Sequence, residues 1–185
     1  QHRLIRRQRQ MCIRDSSPYG VMKRVGELYT KSLGGLIVHF WNVYGIEKDM
    51  EKAHVITDFI RKGFETGVID MMTDGTEERQ FLYAEDCCKA LKIIMKKYDE
   101  FKSDDPLHIT SFRNNSILEV AETIQDVFKE HGMNHIEISP SKSKDSVQMD
   151  KKNKPDTYIL DWWQPKTTLM SGITKVFEAM KNDWV

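Results

Sequence analysis

Leu36-Ile37-Val38-His39-Phe40-Trp41 is a nearly unbroken apolar run of strand length. A strand with one wet face alternates apolar and polar residues. An unbroken run is the pattern of a strand buried on both faces, as in a parallel sheet. The flanking sequence agrees with such a sheet. From Ser17-Pro18 the pattern is helical, with Val21, Val25, Leu28 and Tyr29 on one stripe and Gly34-Gly35 as the stop. Asn42-Val43-Tyr44-Gly45 reads as a loop closing the run. Helical spacing returns over about 54–64, with Val55, Ile56, Phe59 and Ile60, and over about 85–98, with Ala90, Leu91, Ile94 and Met95 inward.

Ser116-Ile117-Leu118-Glu119 is a capping box that opens a helix to about Glu130. Thr168 caps a last helix that turns Leu169, Ile173, Val176, Phe177 and Met180 inward. Short strands are expected at 68–72, 80–83, 107–109 and 136–138, a turn at 73–76, and a polar loop over 139–157. Alternating strands and helices of this length define an α/β chain.

With 39% hydrophobic and 10% aromatic residues, the 185-residue chain carries enough apolar surface to fold. No apolar run approaches the roughly 18 residues of a membrane span. Three cysteines (Cys12, Cys87, Cys88) suit a reducing cytoplasm rather than a disulfide framework. The formal charge is zero, but residues 1–16 hold five arginines and one acid. The body that follows has 23 basic and 27 acidic residues, a net −4, which argues against a general nucleic-acid binder. The first residue is Gln, and no secretory h-region follows. Residues 1–16 are therefore expected to be a basic leader foreign to the fold. Cys87 and Cys88 are adjacent on a helix and point apart, and the histidines lack ligand spacing, so no metal site is expected. His39, inside the apolar run, reads as a satisfied core histidine.

Tyr19 and Lys23 are spaced i, i+4, which puts a phenol and an ammonium on one helix face. A phenol ionises at about pH 10, and a neighbouring ammonium favours its ionised form. Such a pair can exchange a proton with a sugar hydroxyl while a hydride moves at the same carbon. Alone, the spacing is a weak signal and reads as an exposed helix face.

The surrounding blocks decide between these. Ser17-Pro18-Tyr19-Gly20-Val21-Met22-Lys23 with Gly26-Glu27, Phe40-Trp41-Asn42-Val43-Tyr44-Gly45, Asp74-Gly75-Thr76 with Arg79-Gln80-Phe81-Leu82-Tyr83-Ala84-Glu85-Asp86, and Trp163-Gln164-Pro165-Lys166-Thr167 stand in order. Together they resemble the extended short-chain dehydrogenases/reductases, the NAD-dependent nucleotide-sugar epimerases and dehydratases, over residues 17–185. The resemblance implies the C-terminal part of a Rossmann-like, doubly wound parallel sheet plus a small α/β substrate-binding domain. Residues 17–48 would end the dinucleotide-binding domain. Residues 49–185 would be mainly substrate-binding, with a strand and helix near 80–100 returning to the sheet. It also implies that Tyr19 is the general acid/base and Lys23 its partner, both touching NAD or NADP. Phe40 and Trp41 would lie beside the nicotinamide. Asn42, Val55, Ile56 and Arg79 would hold a nucleotide-diphosphate sugar, Arg79 through its planar fork of donors.

Bland readings stand beside these: Phe40 and Trp41 as core, Asn42 as a turn former, Arg79 as a surface ion pair with Glu77 or Asp86. The family's glycine-rich phosphate turn and its catalytic Ser/Thr have no counterpart here. The expected reading is a fragment, inactive or nearly so alone, of a cytoplasmic, homodimeric isomerase or lyase acting by hydride transfer at sugar C4. The alternative is a non-catalytic nucleotide-sugar-binding or regulatory relative of the same fold. Departures from the family pattern include His39, Ile46, Thr57 and the turn Thr110-Ser111-Phe112-Arg113, where the family has a glycine-rich one.

Overall fold

The computed structural model describes residues 18–101, 106–145 and 154–184. The basic leader lies outside the described residues. The chain forms two compact units, Gln1–His39 with Tyr98–Leu107, and Phe40–Lys97 with His108–Val185. No helix among the described residues is long and apolar enough to cross a membrane.

In the first unit, helix α1 (Pro18–Ser32) ends at Gly34, whose φ of +73° supplies the left-handed stop. The predicted stripe exists but is uncovered: Val21, Val25, Leu28 and Tyr29 are all exposed. Strand β1 (Val38–Phe40) follows. Its expected burial on both faces is not met, for Val38 and His39 are half-buried and Phe40 is exposed. A strand is covered twice only where layers pack on both sides, and the described residues leave the Phe40 side open. His39 is correspondingly no core residue. It is satisfied by the Glu27 carboxylate, Nε2 to Oε1 at 2.7 Å, and the same carboxylate takes the Arg24 guanidinium. Burial acts to raise the Glu27 carboxyl, but the Arg24 and His39 hydrogen bonds outweigh it and hold the carboxyl below its ordinary range.

The second unit holds the main core. Strand β2 (Asn42–Tyr44) stands where a loop was expected. It is a strand because β5 (Phe81–Tyr83) pairs with it in parallel, Asn42 opposite Phe81 and Tyr44 opposite Tyr83. A second parallel pair joins β3 (Val68–Asp70) and β8 (Glu137–Ser139). An antiparallel pair joins β4 (Glu78–Arg79) and β7 (Asn115–Ser116), Arg79 opposite Asn115. Between β3 and β4, Asp74 Oδ1 accepts the Thr76 N–H at 3.0 Å and Gly75 takes φ +77°, the predicted turn. Strand β6 (Leu107–Ile109) precedes β7.

Helices α2 (Val55–Thr66), α4 (Ile117–Glu130) and α5 (Leu169–Trp184) enclose the core. The capping box is formed: Glu119 N–H donates to Ser116 Oγ at 3.0 Å, and Ser116 N–H donates to Glu119 Oε2 at 2.7 Å. Thr168 caps α5 as expected, its Oγ1 accepting the Ser171 N–H at 3.2 Å. Ile56, Ile60, Val120, Ile124, Ile173, Val176 and Phe177 are fully buried together. Phe64, Phe128 and Phe177 meet pairwise with ring centroids 4.9–5.1 Å apart. Helix α2 can approach so closely because Gly63 lacks a side chain; a β-carbon there would lie 2.5 Å from Phe128. On α3 (Ala84–Lys96), Ala90 and Ile94 are buried as expected, but Met95 is exposed and Cys87 takes the inward place. The inward line runs 87, 90, 94, and residue 95 falls beyond its edge.

Candidate functional site

The second unit contains a cavity of about 600 Å³. Five residues nominated from the sequence line it: Phe40, Trp41, Asn42, Val55 and Ile56. The fold brings them together simply. β2 follows β1 after one residue, and the first turn of α2 supplies Val55 and Ile56. Trp41 is half-buried, its ring 6.0 Å from that of His108, while Phe40 remains exposed. Asn42 Nδ2 donates to the Gln80 carbonyl at 3.5 Å. Ile56 also belongs to the core, being 1% exposed.

Tyr44, His54, Phe81 and Cys87 line the same cavity and were not nominated. Tyr44 packs edge-on against Phe81 and Tyr83, ring centroids 6.4 and 5.6 Å away. Its hydroxyl donates to the Leu169 carbonyl at 3.4 Å. Burial first, then the neighbouring Tyr83 and Asp86, keeps its phenol protonated far above the ordinary range. His54 precedes α2, and its N–H donates to Glu47 Oε2 at 2.9 Å while Nδ1 meets Glu47 Oε1. Burial opposes ionisation of Glu47, and the hydrogen bonds from His54 and Thr57 overcome it, lowering the carboxyl. Cys87 is a buried thiol pushed up by desolvation and by Cys88, which is exposed on the other side of the helix. Pairing in register explains why Tyr44 and Phe81 were missed. Phe81 lies opposite Asn42 across β2/β5, a relation that spacing along the chain does not carry.

Arg79 stands on β4. Its partner is neither Glu77 nor Asp86 but Asp145, with Nη2 to Oδ2 at 2.5 Å; Nη1 donates to the Glu78 carbonyl at 2.9 Å. The guanidinium is one-fifth exposed, so a planar donor fork is present at the surface of this unit. Tyr19 and Lys23 lie on α1 in the first unit. They face each other as the i, i+4 spacing requires, Lys23 Nζ lying 5.3 Å from the Tyr19 ring centroid, and Tyr19 is 72% exposed. Among the described residues no cluster of His, Cys, Asp and Glu suits a metal ion.

Asp86 organises the segment before α5. Its buried carboxylate accepts the N–H groups of Lys166 and Thr167 at 2.8 and 2.7 Å. This gives the block Trp163-Gln164-Pro165-Lys166-Thr167 a structural task.

Known proteins are similar to this chain in sequence and in fold. The chain is 29% identical over 178 residues to a GDP-L-fucose synthase of Sinorhizobium fredii, covering 89% of this chain and 54% of that protein. It is 28% identical over 174 residues to a putative UDP-glucose 4-epimerase of Methanocaldococcus jannaschii, covering 90% and 54%. Among solved structures it superposes on the UDP-glucose 4-epimerase of Thermotoga maritima, determined with UDP-glucose. The TM-score is 0.76 at 20% identity, over 90% of this chain and 54% of that one. The expected fold stands: this is an α/β chain with parallel strands, equivalent to about half of a Rossmann-fold enzyme. The chain spans about half the length of the curated relatives it matches. Residues 5–109, more than half of the sequence, match the family described as NAD dependent epimerase/dehydratase, and the chain belongs to that family.

Proposed function

We propose that this chain is part of an NAD(P)-dependent enzyme that epimerises, dehydrates or reduces a nucleotide-diphosphate sugar through oxidation at sugar C4. The observation that carries this reading is the shared cavity, which Phe40, Trp41, Asn42, Val55 and Ile56 line together. Its lining is largely apolar and aromatic and includes the Asn42 amide, which suits a planar ring and a polar sugar in contact.

The residues present fit a nicotinamide cofactor: the exposed Phe40 ring and the half-buried Trp41 ring offer flat apolar surface to an aromatic heterocycle. When bound, NAD or NADP accepts and returns the hydride. The chain supplies the rest. Tyr19 takes the proton of the sugar C4 hydroxyl and later gives it back. The Lys23 ammonium, beside the Tyr19 ring, favours the phenolate that accepts this proton. Asn42 and Arg79 hold the sugar and diphosphate, Arg79 exchanging Asp145 for phosphate oxygens. Val55 and Ile56 present apolar contact to the nucleotide. The uncovered stripe of α1 supports a homodimer, and the two-cysteine body supports a cytoplasmic setting.

The test is Tyr19→Phe in the intact enzyme. Loss of a proton-transfer group costs on the order of 10²–10⁴-fold in turnover, and an exposed phenol contributes little to folding. Full turnover by this variant overturns the assignment. Sugar-nucleotide binding without any turnover in the wild type favours the non-catalytic relative.

A further inference from the structure

We infer that Gln80 is a positioning residue that sets the spacing of Trp41, Asn42 and Arg79. The inference rests on the reading of those three residues as ligand contacts. Gln80 is polar, and its residue is only 5% exposed. Its Oε1 accepts the Thr110 hydroxyl at 3.0 Å, and its Nε2 donates to Asn114 Oδ1 at 2.9 Å. Thr110 is itself fully buried.

The position of Gln80 in the chain gives these bonds their effect. One residue earlier, Arg79 pairs with Asn115 in the antiparallel β4/β7 ladder. One residue later, Phe81 pairs with Asn42 in the parallel β2/β5 ladder. Gln80 is thus the joint between a ladder that carries the guanidinium and a ladder that carries the amide. Its own carbonyl accepts the Asn42 side chain at 3.5 Å. A third strand enters through Thr110, because Ile109 just before it accepts the Trp41 N–H at 3.4 Å. One side chain therefore ties down the neighbours of all three residues.

A joint of this kind needs an amide. It must accept from a hydroxyl on one side and donate to an oxygen on the other, which the glutamine side chain does and an apolar isostere cannot. Removing it strands the buried Thr110 hydroxyl and releases the exposed Asn114 side chain, and the stranded hydroxyl favours a shifted backbone that reaches water. The bond from Gln80 to Asn114 lies one residue beyond the Arg79–Asn115 pair that ends the β4/β7 ladder, so a shift there moves Arg79 directly.

The experiment measures binding of uridine diphosphate, and guanosine diphosphate in parallel, to the full chain by calorimetry. Gln80→Met is placed in the wild-type background and in the Asn42→Ala, Arg79→Ala background. A positioning role predicts about tenfold weaker binding in the first and less than about twofold in the second, because the two diphosphate contacts that Gln80 positions are already gone and Trp41 is assigned to the nicotinamide rather than to this probe. An equal loss in both backgrounds overturns the inference and leaves the binding site standing. Failure of the wild-type chain to bind either nucleotide overturns the substrate reading itself, and this inference with it. Should Gln80→Met not fold, Thr110→Val and Asn114→Ala each cut one bond from the far side. Both are expected to weaken binding and to shift the Asn42 side-chain amide resonance in the nitrogen–proton spectrum. An unmoved Asn42 resonance in both variants overturns the inference.

Discussion

The Tyr44 hydroxyl occupies the place where a side chain on Gly172 would begin: a β-carbon built on Gly172 lies 1.9 Å from that oxygen. The absent side chain on α5 is what lets a ring from β2 seat between the cavity and the core. Gly172→Ala is expected to force Tyr44 out and to lower stability by about 1–3 kcal/mol through overpacking. Adding Tyr44→Phe removes the nearest atom and recovers part of that loss. Paired chemical denaturation of the single and double variants measures both effects.

Asp86 provides a second test. Asp86→Ala leaves two N–H groups without the buried carboxylate that accepts them and is expected to cost about 2–4 kcal/mol. The wild-type carboxyl also carries a pH signature. Burial alone would raise it, and the N–H groups of Thr167 and Lys166 reverse this and lower it. A depressed carboxyl stabilises fully above the ordinary aspartate value of about 3.9 and loses that contribution as pH falls further, toward the folded-state value. Asp86→Asn has no proton to take up there. Its stability deficit relative to wild type is therefore expected to shrink in acid, read from denaturation midpoints between neutral pH and pH 3.

Phe112 adopts φ +57°, the left-handed region, at a turn where the family resemblance implies glycine. A side chain in that region costs roughly 1–2 kcal/mol. Phe112→Gly relieves this while giving up partial burial, so it is expected to change stability by less than about 1 kcal/mol. Phe112→Val, β-branched and ill-suited to positive φ, is expected to destabilise clearly more. Equal effects of the two substitutions would show that the turn geometry is not what constrains this position.

Ser116→Ala removes the hydroxyl half of the α4 capping box and is expected to cost about 1 kcal/mol. Ser116→Asp keeps an acceptor at the helix start and restores most of that loss, as thermal melts would report.

What was legible in the sequence divides along the same line as these residues. The Ser116–Glu119 box, the Thr168 cap and the Asp74-Gly75 turn are decided within four residues, and a chain can be read at that range. The Tyr19–Lys23 pair belongs to this class too. Asn42–Tyr44 was taken for a loop because the strand exists only through pairing with Phe81–Tyr83, far along the chain. The partner of Arg79 proved to be Asp145, 66 residues away, for the same reason. Burial failed at α1 and β1, where apolar side chains that pattern marks as inward meet no cover among the described residues. Pattern reports which face wants a partner and not whether one is at hand. Five cavity residues were nominated through the family resemblance, and the places of Tyr44, Phe81 and Cys87 in the cavity came only with the fold.

The placement of α5 bears on how the protein is made. Ile173, Val176, Phe177 and Met180 close a core whose other walls, Ile56, Phe59 and Ile60 on α2 and Val120, Ile124 and Phe128 on α4, leave the ribosome much earlier. Until α5 emerges, the Phe64–Phe128 pair and the helix faces around it stand open to water and to other nascent chains. The core of the second unit therefore cannot close before α5 is made, and until then the growing polypeptide presents aromatic surface.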